Sequence, residues 1–357
     1  MSGNVRVGIV GASWWSDWMH LPNLKSHPQA EVVAICGRRP ERAGALAQKY
    51  AIPQVFTDYQ AMIRNAGLDA LLVATPDDMH HPITMAALEA GLHVLCEKSL
   101  ARNSEQAREM AETARARGVK NMVYFTLRGL PAQRYVKELL SDGYIGRGYH
   151  CHIQHFMGYG RSGGFGWRFD PARGLGALGD LGSHAIDLAR WYFGDIVRVC
   201  AQLDHFVTRR NAEGAAVEAA CDAALLSVEF ASGAQGVVHV STVAHVGERQ
   251  IQEQIALHGE AGTIEAGMSL YNMEARGVRG EEKAFQPLPI PDKFWGDADR
   301  SNPFSVFTHL SVGTRAFIDA ILEDRPASPD FTDGWKVQQV MDAALRSQET
   351  GAWVTIG

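Results

Sequence analysis

The chain has 357 residues, a formal net charge of −6 and 46% hydrophobic residues, a globular balance long enough for two domains. The acidic charge and the absence of a long basic run exclude nucleic acid and an anionic membrane surface as partners, and no apolar run reaches bilayer length. Cys36, Cys96, Cys151, Cys200 and Cys221 are scattered without C-x-x-C spacing. They read as reduced thiols of a cytoplasmic protein, and the early first strand leaves no room for a signal peptide. In chain order, "VRVGIVG" and "EVVAICG" predict two strands. Pro40 opens a helix over "PERAGALAQKY", where its missing N–H costs no bond. Thr57 and Gln60 have capping-box spacing before "QAMIRN". "LDALLVAT" predicts a buried strand, and a helix runs from Pro82 to Gly91. "HVLCEK" is the next strand; Asn103 and Gln106 cap a helix ending at Gly118; "KNMVYF" closes the series. Apolar strands separated by helices predict an α/β, doubly wound parallel sheet of the Rossmann type over residues 1–123.

The rhythm changes near residue 124. A helix over "PAQRYVKELLSD" precedes strands at "GYHCHIQHF", "AALLSVEF", "AQGVVHVST" and "QEQIALHG", with a hairpin turn at Ser232-Gly233. Two helices follow, around "FTHLSVGTRAFIDAILED" and "TDGWKVQQVMDAALRSQET", and 275–303 reads as a long loop. This predicts a second, α+β domain over 124–357 with a mostly antiparallel open sheet. An open sheet face is an aggregation hazard in a monomer, so a homodimer or homotetramer is expected.

The turn after the first strand, "GASWWS", has the shape of a dinucleotide site. A helix N-terminus attracts pyrophosphate, and the usual fingerprint places glycine at three positions. Gly11 fills the first. Ser13 and Ser16 stand at the other two; both are small, and the Ser13 hydroxyl offers a donor to a phosphate oxygen. Trp14 and Trp15 narrow the entrance. At the end of the second strand an NAD site normally carries an acidic residue for the ribose hydroxyls. Here Gly37, Arg38 and Arg39 take its place, and an arginine fork suits a 2′-phosphate. Given a dinucleotide, NADP is favoured over NAD. Arg42 belongs to the following helix.

Two further clusters, "VATPDDMHHP" with "LCEKS" and "GALGDLGSHAIDLARW", complete a pattern. In this order the chain resembles the Gfo/Idh/MocA family of NAD(P)-dependent oxidoreductases over nearly its whole length. The resemblance implies cofactor contacts at Thr75, Pro76, His80 and Glu97. It also implies that Lys98, Asp180 and His184 are the catalytic set. The chemistry agrees: carbonyl reduction needs a proton for oxygen while hydride reaches carbon, a histidine suits that transfer, and a lysine charge polarises the carbonyl. A helix over "DLGSHAIDLARW" puts Asp180 and His184 on one face. Two departures stand out: Ser99 replaces the family's proline after the lysine, and Asp77 stands where asparagine is common. The resemblance implies a sugar, polyol or related hydroxylated substrate between the domains, with Arg128 near it; Trp167 and Arg168 are a further candidate lining. His152 and His155 lack a third ligand at metal spacing, so no metal is expected. Besides a dehydrogenase, two alternatives keep the cofactor: a redox-neutral lyase or glycosidase, and a non-catalytic NADPH sensor.

Overall fold

A computed structural model describes residues 3–357, which form two compact units. The first unit is built on six parallel strands, β1 (Val5–Val10), β2 (Ala30–Cys36), β3 (Gln54–Phe56), β4 (Ala70–Val73), β5 (His93–Cys96) and β6 (Asn121–Val123). Their spatial order is β3-β2-β1-β4-β5-β6, the doubly wound order with its reversal between β1 and β4. Val10 pairs with Val73, so the turns that leave these two strands lie side by side. Helices α1 (Leu21–Ser26), α2 (Pro40–Tyr50), α3 (Tyr59–Asn65), α4 (His80–Glu89) and α5 (Ser104–Arg117) connect the strands. Pro40 opens α2 as expected, and Asn103 caps α5 by accepting from the Gln106 N–H, with Gly118 closing it at φ 66°. Two helix starts differ from expectation. Asp58, not Thr57, caps α3, because its carboxylate reaches the Gln60 N–H. α4 begins at His80, two residues before Pro82; a proline in the first turn removes only an N–H that has no partner in the helix.

The second unit opens with α6 (Pro131–Ser141) and a strand, β7 (Gly148–Met157), and continues through α7 (Ser183–Phe193). Strands β8 (Ile196–Asp204), β9 (Ala223–Phe230), β10 (Gln235–Ser241), β11 (Ile251–Gly259), β12 (Gly262–Met268), β13 (Met273–Arg279), β14 (Gln286–Pro287) and β15 (Val354–Thr355) complete a nine-stranded sheet. Every neighbouring pair is antiparallel except β7 with β10. The β9–β10 hairpin turns at Gly233, φ 83°, where Phe230 and Ala234 close the ladder. The loop expected over 275–303 instead begins inside β13. There Met273, Ala275 and Gly277 face inward while Glu274 and Arg276 face out, so the charges belong to a half-buried strand.

The C-terminal region corrects a single boundary at 123/124. Residues 307–335 belong to the first unit, which otherwise ends at Phe125. Long-range hydrogen bonds hold them there: the Val123 N–H donates to Pro329 O, and the Phe331 N–H to Asn121 Oδ1. The first expected helix is two, α8 (Val306–His309) and α9 (Thr314–Leu322), broken at Gly313 with φ 54°. A long helix, α10 (Phe331–Thr350), follows.

Gly11 is among the residues this arrangement leaves least free. Its φ is +120°, and a Cβ there would sit 2.2 Å from the Ala74 carbonyl oxygen at the end of β4. Gly11→Ala is expected to destabilise the first unit by about 2 kcal/mol or more, read as a lower urea midpoint. A wild-type midpoint would contradict the close strand contact.

Candidate active site

The turn after β1 is held by its own side chains. The Ser16 hydroxyl donates to Gly11 O at 2.5 Å, and the Ser16 N–H donates to Ser13 Oγ at 3.1 Å. The two hydroxyls lie 3.1 Å apart, so the Ser13 proton points to Ser16 Oγ. Ser13 therefore stabilises the turn from within. A five-residue π-type turn, Ser16–His20, carries the chain into α1. Three features suit a dinucleotide. Gly11 brings backbone against the end of β4 without a side chain. The Thr75 hydroxyl is buried and, among the described residues, has no hydrogen-bond partner. At Gly37 a Cβ would lie 2.9 Å from the Ala12 Cβ, so glycine keeps the two turns together. Arg38 and Arg39 beside it are exposed.

Trp14 is 58% exposed and Trp18 45%, with Trp15 packed against both. The Trp15 indole N–H donates to Glu97 Oε1 at 2.6 Å. His20 Nε2 lies 2.8 Å from the same oxygen, and its Nδ1 lies 3.1 Å from the Thr314 hydroxyl. The Lys98 N–H donates to Glu97 Oε2 at 3.2 Å. Burial alone pushes the Glu97 carboxyl up. The His20 hydrogen bond and charge, the Lys98 charge and the Trp15 hydrogen bond outweigh it and hold the group below the usual carboxylate range. Glu97 thus ties the turn after β1 to the strand end that carries Lys98. Between Val94 and Ala101, Lys98 is the one residue that is not buried. The Lys98–Ser99 peptide is cis. His80, expected beside the dinucleotide, is fully buried: Nδ1 lies 2.6 Å from Ser99 O and Nε2 2.9 Å from Thr75 O.

In the second unit, Leu178–Gly182 form a π-type turn that leads into α7. From Gly176 to Arg190 every residue is buried except Asp180 and His184. The wider turn alters the simple helical spacing, yet these two side chains remain the open ones. Asp180 is held in place: Tyr159 donates its hydroxyl to Oδ2 at 2.5 Å, and Arg168 Nε lies 3.1 Å from Oδ1. The Arg168 guanidinium also lies over the Trp167 ring, 4.5 Å from its centroid. Arg128 directs its fork at Asp187 on α7, with Nε 2.7 Å from Oδ2 and Nη2 2.5 Å from Oδ1. Its place is under the helix that carries His184. Arg209, paired with the buried Asp222, donates to Gly160 O and Gly164 O and anchors the glycine-rich segment that supplies Tyr159 and Arg168. Sequence reasoning did not single out Tyr159, His20, Asp187 or Arg209. Asp187 lay in the quoted "SHAIDLARW" stretch, three residues after His184, and Tyr159 begins the glycine-rich 159–174 stretch that holds Trp167 and Arg168; His20 and Arg209 carried no local signal. Among the described residues no group of three or more His, Cys, Asp or Glu is arranged to hold a metal ion.

Residues 5–125 match the oxidoreductase family with an NAD-binding Rossmann fold, and 133–265 match the GFO/IDH/MocA C-terminal domain. The chain is similar to a levoglucosan dehydrogenase of Pseudarthrobacter phenanthrenivorans, 26% identical over 99% of this chain and 98% of that one. A D-glucoside 3-dehydrogenase of Escherichia coli is 35% identical over 54% of this chain and 55% of its own. Among solved structures, levoglucosan dehydrogenase in complex with NADH and L-sorbose superposes with a TM-score of 0.90, at 26% identity and 99% coverage of both chains. The chain belongs to the Gfo/Idh/MocA family of NAD(P)-dependent oxidoreductases. Within that class it is a dehydrogenase or reductase acting on CH–OH groups.

The Arg128–Asp187 side chains are 9% and 1% exposed, so loss of one partner strands a buried charge. Arg128→Met is expected to cost about 3 kcal/mol in urea unfolding, and adding Asp187→Leu to restore much of it. Equal stability of Arg128→Met and wild type would show that the pair does not hold α7.

Proposed function

We propose that the protein is an NADP-preferring dehydrogenase that interconverts a secondary alcohol and a carbonyl on a sugar, polyol or related hydroxylated molecule, using Lys98, Asp180 and His184. The observation that carries this reading is the exposure pattern. Three polar side chains of the expected type are the open positions in two otherwise buried segments, 94–101 and 176–190. A buried backbone holds such groups in one geometry, which is what orientation in catalysis requires. Within the first unit, Gly11, Thr75 and Pro76 line the switch point of the parallel sheet, and Gly37, Arg38 and Arg39 flank the neighbouring strand end. Trp14 and Trp15 border the turn.

The nicotinamide, when bound, supplies or accepts the hydride. The Lys98 ammonium polarises the substrate oxygen and stabilises negative charge on it. His184 gives that oxygen its proton in reduction and takes it in oxidation. Asp180, fixed by Tyr159 and Arg168, orients the substrate hydroxyl. Trp167 with Arg168 offers a sugar a flat face and a hydrogen-bond fork. Arg128 acts through α7. Sugar-directed relatives support the substrate class. The two arginines favour the 2′-phosphate, although the similar solved structure was obtained with NADH. The outer face of the large sheet, with His152, Gln154, His239 and Gln254 around an open hollow, supports a homodimer or homotetramer. No helix among the described residues is long and apolar enough to cross a membrane, and the free thiols support a cytoplasmic setting.

Oxidation of a panel of glycosides and polyols with NADP⁺ should raise absorbance at 340 nm mole for mole with carbonyl formed. Lys98→Ala and His184→Ala should each lower kcat by about a hundredfold or more and change NADPH affinity far less. Sugar conversion without net absorbance change would replace this reading with redox-neutral chemistry. Arg38→Ala should weaken NADPH about tenfold and leave NADH nearly unchanged. Equal losses for both cofactors would remove the phosphate role.

A further inference from the structure

His80 is the buried titratable group that the proposed chemistry leaves unused. Its ring is wholly inside the first unit. Nδ1 lies 2.6 Å from the Ser99 carbonyl oxygen and Nε2 2.9 Å from the Thr75 carbonyl oxygen. A carbonyl oxygen only accepts, so both bonds exist together only if both ring nitrogens carry hydrogen. A neutral imidazole would turn a lone pair toward one of the two oxygens. This is the geometry of an imidazolium, and a buried cation needs a counter-charge. Asp77 is the acidic group at hand: its carboxylate belongs to the same turn, three residues earlier, its residue is 5% exposed, and its charge, after the Cys96 interaction, pushes the imidazole up. This is the position where the sequence departs from the asparagine common in the family. The Cys96 thiol, at the end of β5, also faces the ring. The neighbouring His81 turns away to Glu109 on α5.

We propose that His80 is a fixed imidazolium, held charged by Asp77, that joins the Thr75 carbonyl to the Ser99 carbonyl and so positions Lys98 beside the cofactor turn. Thr75 lies in the turn after β4, and Ser99 directly follows Lys98. One ring thus bridges the two strand ends that the reaction uses. His80 is a positioning residue, since its nitrogens are taken up by protein and do not reach a ligand. The electrostatics point the same way. Burial pulls the imidazole down, but Cys96, Asp77 and the Ser99 hydrogen bond push it up, to about 10. Lys98's part in this rests on the catalytic reading above; the protonation of His80 does not.

The test is ¹⁵N NMR of histidine-labelled full-length protein between pH 5 and 9, beside Asp77→Asn. In wild type one buried imidazole should keep both nitrogens protonated across the range. In Asp77→Asn the same signal should move to a neutral form within it. The kcat of Asp77→Asn relative to wild type should then fall about tenfold from pH 6 to pH 9 as one bridge bond is lost, with much less change in KM for NADPH. A single protonated nitrogen on His80 in wild type at pH 7, with the ring accepting from Cys96, would overturn the proposal. So would a relative kcat that stays constant with pH. The ring signal is read without any sugar turnover, so failure of the catalytic reading leaves a different signature.

Discussion

Glu97 is an ionised carboxylate to which water has little access, with 6% of its residue exposed. Such a group is tolerated only where donors replace the lost hydration. Its donors are Trp15 and His20 from the first turn and the Lys98 N–H from its own strand end. The constraint therefore acts in two directions. The carboxylate fixes the path of the chain after β1, and that path fixes the carboxylate beside Lys98. His20 extends the chain of contacts to Thr314 on α9, which explains why a segment near the C-terminus is part of the first unit.

The second unit solves the same problem with paired charges. Arg128 with Asp187, Arg209 with Asp222 and His155 with Glu253 are each buried pairs. Two of them serve the candidate site directly. Arg128 braces α7, and Arg209 draws the Gly160–Gly164 segment inward through its backbone carbonyls. Asp180 and His184 project from a scaffold that has little freedom to shift. Breaking either pair leaves a charge without hydration, which makes these remote residues as consequential for geometry as the open ones are for chemistry.

Much of this was legible in the sequence because it is local. Pro40, Asn103 with Gln106, Gly118 and Ser232-Gly233 each act over a few residues, and the structure uses them as read. β3 is three residues long and carries no periodicity to recognise. β13 hid because its inward positions include Ala275 and Gly277, small residues that do not mark an apolar face. The return of 307–335 depends on partners far away in sequence, such as Asn121 and Val123. Lys98, Asp180 and His184 were singled out by motif order. Their isolation in buried runs is a tertiary property that the order does not contain. Ser13 adds a local detail that the order does not contain: its hydroxyl is bonded within the turn, because Ser16 stands three residues away to receive it.

The central claim is that a turn with one glycine of three still holds a dinucleotide, since its serines close the turn internally and leave the helix N-terminus to the phosphates. Parallel calorimetric titration of the wild-type protein with NADPH and NADH tests this most directly. The account predicts saturable binding of both, with NADPH the tighter. Binding of neither would contradict the reading of the turn, and tighter binding of NADH would contradict the reading of Gly37, Arg38 and Arg39.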